Sequence, residues 1–421
     1  MANTFKFGNG QWATQQGLAL AYNDENDNYK PLPFDFTRAS SATRVNKQGL
    51  IETVAPGFPR IDYLNNTKGA LLLEPSRTNS ITYSEDFSQS AWSKTNTSIT
   101  SNSTISPDGN SNADSIVGNG ASGLHYILNS VTVSSGQNYT FSIFAKVGTN
   151  NFFQLNMGGS PFGSTNYCNF NLLNGTIGSF GNTTSNRFIE KLGNGWYRIG
   201  FTATSFTSGS ANFFPMLITS ATSSFLETNT LDTSVKIYGA QLEEGSYATS
   251  YIPTSGSAVT RAVEASYQVL PYNIPKPSTM YVEMQIFGSV SDSSSTATRY
   301  SLNESGTASN WVFLGIEGGD NLRVYVRKNS SNTVDSTINN VFSTEGVYKI
   351  AMRIAQNDVK VFVNGVQKFE STLADFSNDL NNLNLSGGGR DTAVVNNAIK
   401  NIDFRLYNTA LTDSELIALT S

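Results

Sequence analysis

The sequence predicts a mainly β protein, in which a first segment with few long apolar runs precedes two antiparallel β-sandwich (jelly-roll) domains. Three observations predict it. Apolar residues alternate with polar ones over many short stretches, the period of a strand with one buried face. Turn dipeptides such as Asn364-Gly365 separate those stretches. Charged residues are only 14% of the 421, while 18 Tyr and 26 Phe supply the bulk of sandwich cores. A chain of this length holds two or three domains, each large enough for its own core.

Taken in order, residues 1–80 form the first unit. Inside it Asn23-Asp24-Glu25-Asn26-Asp27-Asn28 is a polar turn-rich loop. It lacks the glycine and the distal glutamate of an EF-hand, so it reads as a solvated loop. The second unit covers 81–262. Tyr139, Phe141, Ile143, Ala145 and Val147 recur every second residue and predict a half-buried strand. Gly193-Asn194-Gly195 predicts the turn of a hairpin running into Trp196 through Phe201. Residues 263–277 read as a linker stiffened by Pro271, Pro275 and Pro277. The third unit covers 278–421. In it Leu322, Val324 and Val326 alternate with Arg323, Tyr325 and Arg327. Ile350, Met352 and Ile354 precede the turn Gln356-Asn357-Asp358, and Val359, Val361 and Val363 return to Asn364-Gly365. Thr412-Asp413-Ser414-Glu415 is a capping box for a short last helix.

Composition narrows the chemistry. A net charge of −5 without a basic run argues against nucleic acid as a partner. One cysteine, Cys168, rules out an intrachain disulfide framework and a Cys-rich zinc site, and one histidine, His125, leaves little for imidazole catalysis or ligation. No metal and no cofactor is expected. No apolar run reaches the length of a membrane helix, so no membrane insertion is expected. The start Met1-Ala2-Asn3-Thr4-Phe5-Lys6 has no apolar core of a secretory signal.

Glycoside hydrolysis needs two suitably spaced carboxyl groups. No Glu-x-Asp-x-x-Glu string occurs, Glu283 stands alone on its strand, and the neighbours Glu243 and Glu244 point to opposite faces. No catalytic residue is assigned, and the expectation is a protein that is not an enzyme. Sugars expose C–H groups that pack on rings, with amides and carboxylates meeting their hydroxyls. The aromatic candidates are Trp92, Tyr126, Phe152, Phe153, Tyr167, Tyr300, Trp311 and Tyr325, each of which core packing explains equally well. Trp196 reads as core and Cys168 as an inert buried thiol.

Phe36-Thr37-Arg38-Ala39-Ser40-Ser41-Ala42-Thr43-Arg44-Val45-Asn46 begins a longer string. It continues through Gly49-Leu50-Ile51-Glu52, Pro59-Arg60-Ile61-Asp62-Tyr63 and Leu71-Leu72-Leu73-Glu74-Pro75-Ser76-Arg77-Thr78-Asn79. The string resembles the N-terminal portion of head-fibre and head-spike proteins of tailed bacteriophages. It resumes at Gln241-Leu242-Glu243-Glu244-Gly245, Ser250-Tyr251-Ile252-Pro253-Thr254 and Thr260-Arg261-Ala262, which in that family closes the sandwich. The pattern of 81–262 resembles carbohydrate-binding modules. The order Tyr348-Lys349-Ile350, Val361 to Gly365, Ile402 to Tyr407 and Leu411-Thr412 resembles concanavalin A-like and laminin-G-like jelly rolls.

These resemblances imply a structural virion appendage with an N-terminal attachment segment over 1–80. They imply capsid or tail proteins as partners, host-surface or environmental glycans as ligands, and a homotrimer. They imply assembly in a host cytoplasm and residence on the phage particle. The alternatives are a tail-tip receptor-binding fibre, a polysaccharide-depolymerising spike and a purely structural decoration. Arg38, Arg44, Arg60 and Arg77, interleaved with Asp35, Glu52, Asp62 and Glu74, read either as internal ion pairs or as part of a docking surface. The glycan contacts expected on the third unit are Tyr300, Trp311, Arg390 and Asp391, the last two following Gly387-Gly388-Gly389.

Overall fold

The computed structural model describes residues 4–20, 22–23, 28–29, 34–163, 165–270, 273–274, 276–287, 299–307, 309–318, 320–342, 345–385 and 398–421. These residues form antiparallel sheets with one α-helix, Asp413–Thr420, as the composition and alternation predict. Arg390, Asp391, the glycines before them and most of the 23–28 loop lie outside the described residues.

The chain divides into two compact units. One, the split unit, comprises Met1–Lys47, Thr53–Ser76 and Ala262–Ser421, and the other, the inserted unit, comprises Gln48–Glu52 and Arg77–Arg261.

The inserted unit is a sandwich of two six-stranded sheets. One runs in the order Ser93–Thr95, Tyr126–Val133, Gly209–Leu217, Phe152–Gly158, Asn166–Asn171, Thr176–Phe180. The other runs Thr97–Thr104, Ala113–Gly118, Ser234–Glu244, Asn138–Val147, Tyr197–Thr204, Thr184–Lys191. Alternate residues of both sheets, among them Phe141, Ile143, Phe153, Leu155, Ile199, Phe213 and Ile237, share one core. The turn at Gly193–Gly195 takes the glycine-favouring conformation at Asn194 (φ 58°) and Gly195 (φ 77°). The strand Asn138–Val147 departs from expectation. Its outward residues Thr140, Ser142 and Phe144 are buried as deeply as its core-facing ones. The segment after Glu244 covers them: Thr140 donates to the Gly245 carbonyl at 2.8 Å, and the neighbouring Arg198 to that of Thr249 at 2.6 Å.

The split unit packs a ten-stranded sheet on a nine-stranded one around Phe7, Phe34, Leu71, Met280, Leu302, Leu314, Val324, Ile350 and Phe404. This arrangement corrects the division at 80 and 278. Thr4–Gly8 pairs with Ile399–Tyr407 from Thr4↔Tyr407 to Gly8↔Asp403, and Ala70–Leu73 pairs with the same strand at Leu71↔Asn401. Neither 1–80 nor 278–421 is a separate body. Short strands at the start of the chain leave apolar faces that only strands from its far end can cover.

The expected linker is corrected too. Ala265–Val269 is a strand, paired with Phe34–Thr37 on one side and Asn382–Asn384 on the other. The local readings of the C-terminal half hold. Asn364 (φ 48°) and Gly365 (φ 78°) both have positive φ and turn the hairpin of Asp358–Val363 and Val366–Ser371. The Thr412 and Glu415 side chains cap the last helix reciprocally, and its Leu416 is buried against Tyr281, Ala351 and Phe362.

Candidate functional site

The arginines of the N-terminal string converge indoors. Arg60 is fully buried; its Nε and Nη2 donate to the two oxygens of Glu264 at 2.8 and 2.5 Å, and Nη2 also meets Glu74 at 2.8 Å. Arg38 donates to Glu264 at 2.8 Å and to the carbonyls of Ser40, Ala55 and Phe58. Burial alone would depress the Arg60 guanidinium, but the charges of Glu264 and Glu74 outweigh it and raise its pKa. Arg44 is half-buried and reaches the Ile61 carbonyl at 3.3 Å. Arg77 lies over the Tyr247 ring at 5.7 Å. The docking-surface reading is therefore corrected for Arg38 and Arg60. Their charges are spent on Glu264, which sequence reasoning missed because it lies some two hundred residues away.

The second part of the string builds an amide clamp in the inserted unit. Asn79 donates to the carbonyls of Ala240 and Ile252 at 3.1 and 2.8 Å and accepts from the amides of Ile81 and Leu242 at 3.1 Å each. The Gln241 side-chain Oε1 accepts from Ile252 N at 2.7 Å, and Glu243 accepts from Thr249 N and Oγ1 at 2.8 and 2.6 Å. Ser84 and Thr254 bond reciprocally, amide to hydroxyl, at 3.0 and 2.8 Å. Beside them Tyr238 donates towards both Glu85 (2.9 Å) and Asp108 (3.1 Å), and Tyr251 towards Glu85 (3.1 Å). Desolvation raises the Glu85 pKa, and burial raises those of both phenols. The Tyr238 hydroxyl thus bridges the two carboxylates.

The single-residue candidates separate by face. Tyr300 is buried in the split unit's core and donates to Asn401 at 2.6 Å, so it is corrected to a packing residue. It shares its face with Leu302, and the outward residues of that strand are Ser301 and Asn303. Trp311 points to the opposite, outer side of its sheet, because Val312 and Leu314 face the core, and it is half-buried. Trp92, Phe153 and Trp196 are core residues, with the Trp92 and Trp196 indoles donating to the carbonyls of Tyr83 and Ile105. Cys168 is buried and its thiol is pushed up to about 12, mainly by desolvation. Of the other four candidates, Tyr325 stacks on Phe313 on the same outer side as Trp311, Phe152 is half-buried, and Tyr126 and Tyr167 lie on one surface.

That surface is the outer face of the first sheet of the inserted unit. Strand register aligns Phe214, Asn156 and Tyr167 in one row, and Tyr126, Met216, Gln154 and Asn169 in the next. Two aromatic pairs flank the amides. Tyr126 and Phe214 have ring centroids 5.3 Å apart, and Tyr167 and Phe225 have theirs 5.6 Å apart. Gly158 permits this, since a Cβ there would stand 3.3 Å from the Phe214 ring.

Gln154 and Asn169 are bonded to each other at 2.7 Å and to carbonyls of the 221–224 loop. Glu227 anchors that loop through Thr219 and Ser223; burial would raise its pKa, but these hydrogen bonds hold the carboxyl below its ordinary range. Asn156 differs. It is fully buried, its amide nitrogen donates weakly to the Phe214 carbonyl at 3.3 Å, and its Oδ1 accepts nothing from the protein. At the edge of the same sheet a cleft of about 300 Å³ is lined by Ser80, Thr82, Ser90, Ser93, Leu128, Asn129 and Ser130. Flat rings, amides and hydroxyls, with no charged side chain among the face and cleft residues named, form a surface suited to a neutral polyhydroxylated ligand.

No family model matches the chain, and no curated protein matches it in sequence. Among solved structures, the CBM40 module of Ruminococcus gnavus IT-sialidase is 17% identical over 36% of this chain and 91% of that one, with a TM-score of 0.28. The leech intramolecular trans-sialidase complexed with 2,7-anhydro-Neu5Ac is 15% identical over 34% of this chain and 23% of that one, also at 0.28. A tail fiber protein of an E. coli phage is 10% identical over 81% of this chain and 41% of that one, at a TM-score of 0.21. Similarity at this level carries no argument about function.

Proposed function

We propose that this chain is a non-catalytic appendage of a phage particle, a head fibre or spike, which adheres to neutral glycans through the outer face of the inserted unit. The carrying observation is the two aromatic pairs, Tyr126–Phe214 and Tyr167–Phe225, whose half-exposed Tyr126, Tyr167 and Phe225 rings flank uncharged rows of amides. Exposed ring faces take the C–H surface of a sugar, and the polar groups beside them meet its hydroxyls. The place on the virion rests on the resemblance of the Phe36–Asn79 string to phage head proteins. With the attachment segment woven into the split unit, the docking surface belongs to that unit as a whole.

Single-site affinity is expected near ~1 mM, and useful adhesion comes from several copies, as in a homotrimer. A neutral-glycan array probed with the full chain tests the reading. Binding that is lost in Y126A and Y167A, with unchanged melting temperatures, is the expected result. A folded protein that binds no neutral glycan, or variants that bind like the parent, overturn it. Sedimentation as a monomer at micromolar concentration overturns the trimer.

A further inference from the structure

The nine-stranded sheet of the split unit has an outer face of its own, and its chemistry differs. Across Arg299–Asn303, Trp311–Glu317 and Asn321–Lys328, register places Asn303, Trp311 and Arg327 in one row and Ser301, Phe313 and Tyr325 in the next. Phe313 and Tyr325 stack at 4.7 Å with planes 16° apart, and Trp311 meets Phe313 at 4.9 Å. Arg323 lies over both stacked rings, at 5.8 and 5.3 Å. Asp335 holds it at 2.8 and 3.0 Å and Glu317 at 3.0 Å, so its charge is neutralised in place. These residues form a rigid floor.

Arg327 is the exception on this face. Its Nη2 donates to the Ser330 carbonyl at 3.1 Å, its buried Nε has no partner, and no carboxylate pairs with it among the described residues. The turn that presents that carbonyl is itself strained: Asn329 and Ser330 both have positive φ, 48° and 67°. Next to Arg327 across the strands is Trp311, half-buried with it. Asn303, in the same row, and Asn384, one row on beside Ser301, are both fully buried, and the Asn384 Oδ1 accepts no hydrogen bond among the described residues. A guanidinium with no carboxylate partner among the described residues, beside an indole and buried amides, matches a sugar ring that carries a carboxylate. The ring stacks on Trp311 and the carboxylate takes the free donors of Arg327.

We infer that the split unit carries a second glycan site, selective for carboxylate-bearing pyranosides, with Arg327 as its anion anchor and Trp311 as its stacking platform. The full chain is titrated with a galacturonate oligomer and with a sialoside, each beside its methyl ester, and followed by tryptophan emission. Trp92 and Trp196 are fully buried and Trp12 packs edge-on against Phe7, so the signal is expected to come from Trp311 and to vanish in W311F. The expected result is that at least one free acid binds with Kd near ~1 mM. R327Q weakens that binding on the order of tenfold at unchanged melting temperature, and the methyl ester does not compete. Equal binding of acid and ester, an R327Q protein that binds like the parent, or no binding of either acid up to about 10 mM overturns the site. Competition by acetate as strong as by the sugar acid overturns the sugar part of it. The probes differ from the neutral glycans, so failure here leaves the first face standing, and the converse holds.

Discussion

The two units solve the same problems with different chemistry. Deep inside, the split unit is fastened by charge: Arg38, Arg60, Glu74 and Glu264 form one buried network. The inserted unit is fastened by amides and hydroxyls, with Asn79, Gln241, Ser84 and Thr254 tying strands to the closing segment. The contrast recurs on the outer faces. A guanidinium that no carboxylate pairs among the described residues stands beside Trp311 in one, and an amide whose Oδ1 accepts nothing from the described residues stands between aromatic rings in the other. The two ligands proposed above differ in charge for this reason. Charge concentrates stability in few residues, while a neutral clamp spreads it over many weak bonds.

The largest expected effect is at Glu264. Glu264→Ala leaves Arg38 and Arg60 buried without their shared carboxylate, and stability measured by urea unfolding is expected to fall by about 3–5 kcal/mol. A loss under about 1 kcal/mol would show that the charges are relieved by water and would dissolve the contrast. Next comes Asn79→Ala, which strips partners from four buried backbone groups. A loss of about 2–3 kcal/mol by the same measurement is expected. A value matching or exceeding that of Glu264→Ala would show that the neutral clamp is no weaker fastening.

Ser330→Gly sharpens the picture in the opposite direction. It relieves a positive φ in a two-residue turn, and a gain of about 0.5–1 kcal/mol is expected, read as a rise in melting temperature. No gain would mean that the Ser330 hydroxyl contact to Ser309 offsets the strain.

The smallest effect is the pH dependence of Glu227. Its folded pKa lies below the unfolded one, so its contribution is complete above the ordinary glutamate range, near ~4.3. It is lost as pH falls through the depressed folded value. E227Q should flatten that acid limb of stability, and an unchanged limb assigns the acid sensitivity elsewhere.

What the sequence announced depended on distance along the chain. The hairpin at Asn364-Gly365 and the capped helix after Thr412 are local, and alternation and turn chemistry specify them without help. Thr4–Gly8 is only five residues long and finds its place against Ile399–Tyr407 from the far end of the chain, so no local period marks it. The outward placement of Trp311 follows from the alternation of Val312 and Leu314. The same test applied to Tyr300 and Leu302 puts Tyr300 inside. The better signal for both faces was polar: Gln154 and Asn156, like Ser301 and Asn303, interrupt apolar strands at every second residue. That pattern marks a sheet face covered by something other than core.

One detail of chain path carries further. The strand Arg77–Asn79 lies antiparallel to Val259–Arg261, paired from Arg77↔Arg261 to Asn79↔Val259, and just beyond it the Glu264 amide bonds the Glu74 carbonyl at 3.1 Å. Apart from the short excursion at Gln48–Glu52, the polypeptide therefore leaves the split unit and returns to it through a single two-stranded gate. Anything folded between residues 77 and 261 presents the same pair of adjoining ends to its host. Such a gate makes the intervening module a replaceable cassette: recombination at its margins can exchange everything between residues 77 and 261 while the Arg38–Arg60–Glu74–Glu264 network of the split unit keeps all its members.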